Sequence, residues 1–334
     1  MEPKRLHTLL EQAIAARAAL FDPAHQTAFR LFNGFSEGEP SLAVDVYGST
    51  LVVQDHADNP AESQHILREA VELLRSVLPW LHAGILKTRN GDPAASLREE
   101  GKNGKLLFGE RPDTKIKEHS VWYALNLTLN RDAGFYLDTR HLRKWLMENS
   151  HGKSVLNTFA YTGSLGVAAT AGGASRVVQT DHNRRFLHLA KDSHSLNGFP
   201  VRKKDFIAQD FFPAVAHLKN TRQFFDCVIL DPPFFSSTPK GKVDLVNESA
   251  RLINKVRPLI NDGGTLVTIN NALYLSGQDY METLASLCRD GYLRLRELIP
   301  VPADFIGNAI LAPVTDPAPF NHSTKIAVLD VKRK

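Results

Sequence analysis

From about residue 150 onward, short apolar strands alternate with helices, and this alternation limits the possible folds more than any other feature. Strands are predicted over 154–158, 176–181, 206–210, 225–230 and 264–269, with helices over 163–171, 182–196 and 243–260 among them. Strands this short and this apolar are buried on both faces, which requires helices above and below them. The architecture that satisfies the pattern is α/β, a doubly wound, mostly parallel sheet. Such a sheet takes ligands at the carboxyl ends of its strands, beside the point where strand order reverses.

The chain upstream has a different texture. Leu6, Leu9, Leu10, Ala13, Ile14, Ala16 and Leu20 recur mostly at helical spacing, with Pro3 suited to a first turn. Strand-like segments at 41–46 and 50–54 are joined by Tyr47-Gly48-Ser49, a hairpin signal; a helix is expected over 60–78 and a strand over 85–89. Residues 98–118 carry six basic and five acidic side chains and read as a solvated hairpin region rather than a nucleic-acid patch. A length of 334 residues makes two domains the default. Forty basic against 36 acidic residues leave +4, which permits a polyanionic partner without demanding one. Two cysteines, Cys227 and Cys288, exclude a disulfide framework or a cysteine-based zinc cluster. No apolar run reaches the roughly 18 residues that span a bilayer, and the N-terminus carries no apolar leader, so a cytoplasmic chain is expected.

Four strand ends carry the chemistry. The first runs into Phe159-Ala-Tyr-Thr-Gly163-Ser-Leu-Gly166, a glycine-containing turn into a helix. The second ends in Asp181, placed to accept both ribose hydroxyls of a nucleoside cofactor. That carboxylate alone does not separate a nicotinamide enzyme from an S-adenosylmethionine (SAM) enzyme. The turn, however, lacks the G-x-G-x-x-G spacing that brings a pyrophosphate to a helix N-terminus. The third ends in Asp210, which suits either an N-cap for the following helix or an acceptor for an adenine amino group. The fourth ends in Asp231-Pro232-Pro233-Phe234 and decides the matter. Each proline fixes φ and removes an N–H, so the edge is stiff. It exposes a carboxylate and a carbonyl beside an aromatic ring, and so can hold a flat heteroaromatic base stacked on Phe234.

With these residues in view, the sequence resembles the bacterial large-subunit (23S) ribosomal RNA methyltransferases, a SAM-dependent group with a cytosine-C5 and a guanine-N7 branch. The matching stretches are Arg30-Leu-Phe-Asn-Gly34, Pro40-Ser-Leu-Ala-Val-Asp-Val-Tyr-Gly48, Gly134-Phe-Tyr-Leu-Asp-Thr-Arg140, Val155-Leu-Asn-Thr-Phe-Ala-Tyr-Thr-Gly163, Asp181, Asn197-Gly198, Asp210 and Phe225-Asp-Cys-Val-Ile-Leu-Asp-Pro-Pro233. They cover about residues 27–334. The resemblance implies a class I SAM-dependent methyltransferase fold, Rossmann-like with a mostly parallel seven-stranded sheet, preceded by a smaller α+β domain. Residues 1–26 would then be an N-terminal helix, 27–128 the small domain for substrate recognition, and 129–334 the SAM-binding catalytic domain. By this resemblance, an RNA-binding module found at the start of some members is expected to be missing, with a short helix at 4–20 in its place. By the same resemblance Phe135, Asp138 and Arg140 would flank SAM, and Phe159, Thr162 and Gly163 would face its methionine part. Asp181 would take the ribose hydroxyls, Asp210 the adenine amino group, and Asp231 with Pro233 would sit between SAM and the target base. Core packing would equally explain Phe135, and a salt bridge Arg140.

Methylation at cytosine C5 needs a thiolate to add at C6, and the C5 branch supplies it just after the fifth strand. This sequence reads Asn270-Asn271-Ala272 there, which resembles the N7 branch and points to a nitrogen acceptor, guanine N7 or an exocyclic amine. Asn270 offers a donor and an acceptor for a base edge. Lys240, Lys242, Arg251, Lys255 and Arg257 follow the fourth strand and suit either a basic rim for RNA or a solvated face. A methyltransferase for a small molecule or protein, and a catalytically silent RNA-associated protein of the same fold, are the competing readings.

Overall fold

The computed structural model describes residues 3–89, 103–307 and 316–333. The chain divides into two compact units, Met1–Leu137 with Pro302–Pro313 and Asp138–Val301 with Val314–Lys334.

The first unit contains α1 (Pro3–Ala16), β1 (Ala28–Asn33), α2 (Gly34–Glu37), β2 (Leu42–Tyr47), β3 (Thr50–Asp55), α3 (Pro60–Val77), β4 (Ala83–Thr88), β5 (Lys105–Phe108), β6 (Lys115–Glu118) and β7 (Val121–Ala124). Five strands form a sheet in the order β1-β2-β3-β4-β5, antiparallel except where α3 carries the chain between parallel β3 and β4. Helix α3 begins where Asn59 Oδ1 accepts the Ala61 N–H at 3.1 Å, with Pro60 supplying a preset first turn. Its Leu67, Ala70 and Leu74 join Leu6 and Leu10 of α1 against Leu31, Val44 and Val53 of the sheet. Helix α1 therefore belongs to this core. Among the described residues of the expected hairpin region over 98–118, β5 pairs with β4, and β6 opens a hairpin with β7 that runs past the predicted end. Residues 98–102 of that segment lie outside the described residues.

The second unit contains α4 (Arg140–Asn149), β8 (Ser154–Thr158), α5 (Ser164–Ala171), β9 (Arg176–Asp181), α6 (Arg184–Leu196), β10 (Phe206–Ala208), α7 (Phe211–Asn220), β11 (Phe225–Leu230), β12 (Phe235–Thr238), β13 (Gly241–Asp244), α8 (Ser249–Val256), β14 (Ile260–Asn270), α9 (Gly277–Cys288) and β15 (Leu293–Ile299). After a short α10 (Ala303–Ile306), grouped with the first unit, β16 (Lys325–Val331) completes it. Seven strands run in the order β10-β9-β8-β11-β14-β16-β15, and β16 alone is antiparallel to its neighbours. The doubly wound, mostly parallel sheet expected from the alternation is the observed one. Leu156, Val228 and Leu266, on its three central strands, are fully buried, each contributing about 1.5–3 kcal/mol. No helix among the described residues is long and apolar enough to cross a membrane.

The expected helix over 243–260 is shorter in the structure. Gly241, at φ 154°, turns the chain so that residues 235–244 pair as the β12–β13 hairpin, and the helix begins only at Ser249. The helix ends at Val256 and passes into a 3₁₀ turn over Arg257–Leu259, with Arg257 still in the helical region and Pro258 at the start of that turn. Val243 and Leu245 share the apolar spacing of the helix but feed the core from the hairpin and the turn after it.

Candidate active site

Register puts the ends of the central strands at one level. Thr158 of β8 pairs with Thr180 of β9 and with Leu230 of β11, and Leu230 pairs with Thr268 of β14. Strands β9 and β10 lie on one side of β8 and β11 on the other, so strand order reverses between β8 and β11. The loops after these two strands therefore flank the crevice where an open α/β sheet takes its ligands.

The loop after β8 is tightly coiled. Phe159, Tyr161 and Gly163 all adopt positive φ, at 53°, 52° and 80°. Phe159 stacks on Phe211 with ring centroids 4.5 Å apart, and Thr162 is buried. Asp181, at the tip of β9, fastens this loop: its Oδ2 accepts the Tyr161 N–H at 2.9 Å, and its Oδ1 accepts the Asn183 N–H at 2.8 Å. Burial raises the Asp181 carboxyl above the usual carboxylate range, and the two backbone bonds oppose that shift. Gly163 is needed for two reasons. Its backbone is left-handed, and a Cβ there would run into the Ala190 methyl of α6 and lie 2.7 Å from Gln179 Oε1. Gly163→Ala is expected to destabilise the protein by about 2–5 kcal/mol, combining left-handed strain with overpacking. An unshifted urea midpoint would refute this.

Across the crevice, β11 delivers Asp231, half-buried, then buried Pro232, and then exposed Pro233 and Phe234. Burial pushes the Asp231 carboxyl up to about 7, and the neighbouring Asp138 carboxylate adds to the shift. Asp138 Oδ2 accepts from Thr324 Oγ1 at 2.9 Å, while its Oδ1 is buried with no hydrogen-bond partner among the described residues. An acid pair with an orphaned oxygen is electrostatically incomplete. A cationic, donor-bearing ligand would complete it.

The other expected site residues are placed as follows. Asp210 is the N-cap of α7, accepting from Phe212 N at 3.3 Å, and its second oxygen accepts from Thr238 Oγ1 at 2.9 Å. Strand β10 ends at Ala208, two positions earlier than the predicted 206–210 strand. Arg140 opens α4. Phe135 is buried in the first unit, 5.0 Å from Tyr123, and its carbonyl accepts from Tyr47 Oη at 2.9 Å.

Asn270 does not present its side chain as expected. It is wholly buried: its Nδ2 donates to Ser249 Oγ at 2.9 Å and to the Leu245 carbonyl at 3.2 Å, and its Oδ1 accepts the Ala272 N–H at 2.9 Å. Its amino group ties the end of β14 to Leu245 and to the start of α8, and its oxygen holds the segment just after β14. The adjacent Asn271 instead carries a buried Oδ1 with no partner among the described residues. Lys325, which sequence reasoning missed, pairs with Asn270 across the β14–β16 ladder and is also wholly buried. Its Nζ donates to the Ala272 carbonyl at 3.0 Å and to the Ser323 carbonyl at 2.7 Å, and burial lowers it to about 8. The only signal was a lysine opening an apolar run, which edge strands also show.

Of the basic residues after β11, Lys242 pairs with Asp244 at 3.0 Å, Arg251 with Glu248 at 2.6 Å, and Arg257 with Asp290 at 3.2 Å, while Lys240 and Lys255 are exposed. Cys227 is buried inside β11, and burial pushes its thiol up to about 12. Burial also raises the thiol of Cys288, at the end of α9.

The family pattern of the S-adenosylmethionine-dependent methyltransferases matches residues 30–307. The chain belongs to this family. Ribosomal RNA large subunit methyltransferase I of Vibrio cholerae is 32% identical over 266 residues, covering 78% of this chain and 65% of that protein. YwbD of Bacillus subtilis is 31% identical over 264 residues, with 79% and 65% covered. The chain thus spans slightly less than two thirds of the length of these relatives. Among solved structures, SMU.776 complexed with SAH aligns at TM-score 0.85 and a SAM-dependent methyltransferase from Streptococcus mutans at 0.83. Both cover 99% of this chain and 82% of the other at 20% identity, a likeness of fold. The Rossmann-like class I methyltransferase architecture and the SAM-dependent methyltransferase family, both implied by the sequence resemblance, are borne out.

Proposed function

We propose that this family member transfers the methyl group of SAM to a nucleobase nitrogen of RNA, within the large-subunit (23S) ribosomal RNA. The observation that carries the reading is the Asp138–Asp231 pair beside an exposed Phe234 at the switch point of the sheet. SAM supplies a methyl group on a sulfonium and also bears an ammonium, so its positive charge matches the incomplete acid pair. Asp138 Oδ1 would accept from the ammonium. Asp181, with one backbone bond on each oxygen, keeps a lone pair on each for the ribose hydroxyls. Phe159, Thr162 and Gly163 would back the methionine part. Asp210 would reach an adenine amino group only through lone pairs left over from capping α7, and Arg140 would flank the cofactor as the sequence resemblance implies.

On the substrate side, Phe234 would stack on the target base, and Asp231 with the Pro232 carbonyl would accept from its amino edge. Guanine N7 has an in-plane lone pair and needs no deprotonation, so positioning suffices. The paired asparagines support the N7 branch, with Asn271 rather than Asn270 offering the free acceptor. RNA as the substrate is supported by the Vibrio cholerae relative, which bears a ribosomal RNA methyltransferase name. Calorimetric titration with SAM, competition by S-adenosylhomocysteine, and mass spectrometry of ribosomal RNA nucleosides after reaction test the reading. Absence of SAM binding, or of any new methylated nucleoside, refutes it.

A nitrogen acceptor leaves both thiols without a chemical role. Cys227→Ser combined with Cys288→Ser is expected to retain turnover, at a stability cost of about 1–3 kcal/mol from an unpartnered hydroxyl at position 227. A covalent adduct with 5-fluorocytosine RNA, lost in the double variant, would overturn the nitrogen assignment.

A further inference from the structure

We propose that Tyr274 and Phe235 are nucleobase-stacking residues for the nucleotides that flank the target, so that the substrate is an unpaired RNA strand. This rests on the reading of RNA as the substrate. At 75% and 55%, they are the most exposed large apolar side chains among the described residues. They follow β14 and β11, adjacent parallel strands, and so stand at the same carboxyl edge as Asp231.

Neither ring is carried on a loose loop. The Leu245 N–H donates to the Phe234 carbonyl at 3.1 Å, and Asn270 Nδ2 donates to the Leu245 carbonyl at 3.2 Å. Asn270 Oδ1 then accepts from Ala272 N, and Lys325 Nζ donates to the Ala272 carbonyl, two residues before Tyr274. A buried, bonded frame thus holds two rings out in water, where their exposure gains the fold nothing. The rings sit on separate elements, the β12–β13 hairpin and the segment after β14, which suits successive flat ligands better than one apolar peptide face. Lys242 Nζ, paired with Asp244, lies 5.3 Å from the Phe235 ring centroid, a cation beside the proposed stacking surface. Aromatic rings interleaved with cations bind single strands, because bases in a duplex have no free faces.

The test uses the full chain loaded with S-adenosylhomocysteine and a fluorescent, unstructured RNA of about 12 nucleotides, read by anisotropy. Tyr274→Ala and Phe235→Ala are each expected to weaken binding about tenfold. Tyr274→Phe, which keeps the ring, should bind like wild type, and the same RNA in a duplex should bind more weakly. Affinity for S-adenosylhomocysteine should be unchanged in all three variants. Wild-type affinity in both alanine variants, or equal affinity for duplex and single strand, overturns the proposal alone. A wild-type protein that binds S-adenosylhomocysteine but no RNA overturns the RNA reading, and this proposal with it.

Discussion

Asp231→Ala is expected to reduce methyl transfer by about 10³-fold while leaving the protein folded and, at neutral pH, no less stable. The two effects have one cause. The carboxyl sits in an environment that opposes its charge, with burial and the Asp138 carboxylate pushing it up to about 7. A carboxyl whose folded value lies above its unfolded value binds more protons in the folded state. Its contribution to stability is present at low pH and is lost as pH rises from about 4 towards 7. Removing Asp231 should flatten that part of the wild-type stability curve. A cationic ligand favours the ionised carboxyl, so SAM affinity in the wild type should tighten as pH rises through about 7, and the alanine variant should lack this dependence. Urea denaturation between pH 5 and 8, with calorimetry at the same values, reads both. Near-normal turnover in the variant, or wild-type stability that does not fall with pH, would remove Asp231 from the proposed chemistry.

Asp181→Ala is expected to act on cofactor binding. Two charge-assisted hydrogen bonds to ribose hydroxyls, each worth about 1.5–3 kcal/mol, correspond to a loss in SAM affinity of about 10²–10⁴-fold. The same change strips the acceptors from the Tyr161 and Asn183 N–H groups, so part of the loss would come from a loosened loop after β8. Asp181→Asn separates the contributions. It keeps an acceptor for one of the two N–H groups and loses the negative charge, and should fall between wild type and alanine. Affinity for S-adenosylhomocysteine in Asp181→Ala equal to wild type would show that the carboxylate serves the loop alone.

Much of the site is legible in sequence because strand tips in an open α/β sheet are local features. An apolar run, the residue at its end and the turn after it lie within a few positions of each other, and chain order with the crossover rule then sets which ends face the crevice. Asp181 and Asp231-Pro-Pro-Phe234 were readable in this way. The stretch 243–260 was misread because Val243 and Leu245 have the same spacing in a hairpin exit as on a helix face, and only the pairing of β12 with β13 separates the two.

Asn270 and Asn271 mark the boundary most sharply. The sequence by itself placed both neighbours just beyond the fifth predicted strand, 264–269, with nothing to separate their surroundings. Which one is buried depended on contacts far along the chain: Leu245 and Ser249 before it, and Lys325 after it through the Ala272 carbonyl. The orphaned Asp138 oxygen is likewise set by Thr324, which β16 brings back beside β14 from the far end of the chain. Periodicity and chain order determined five of the seven strands, β8, β9, β10, β11 and β14, and their tips, while β15 and β16 went unread. Only the tertiary structure decided which polar atoms at those tips were already satisfied, because a hydrogen-bond partner distant in sequence leaves no local pattern to read.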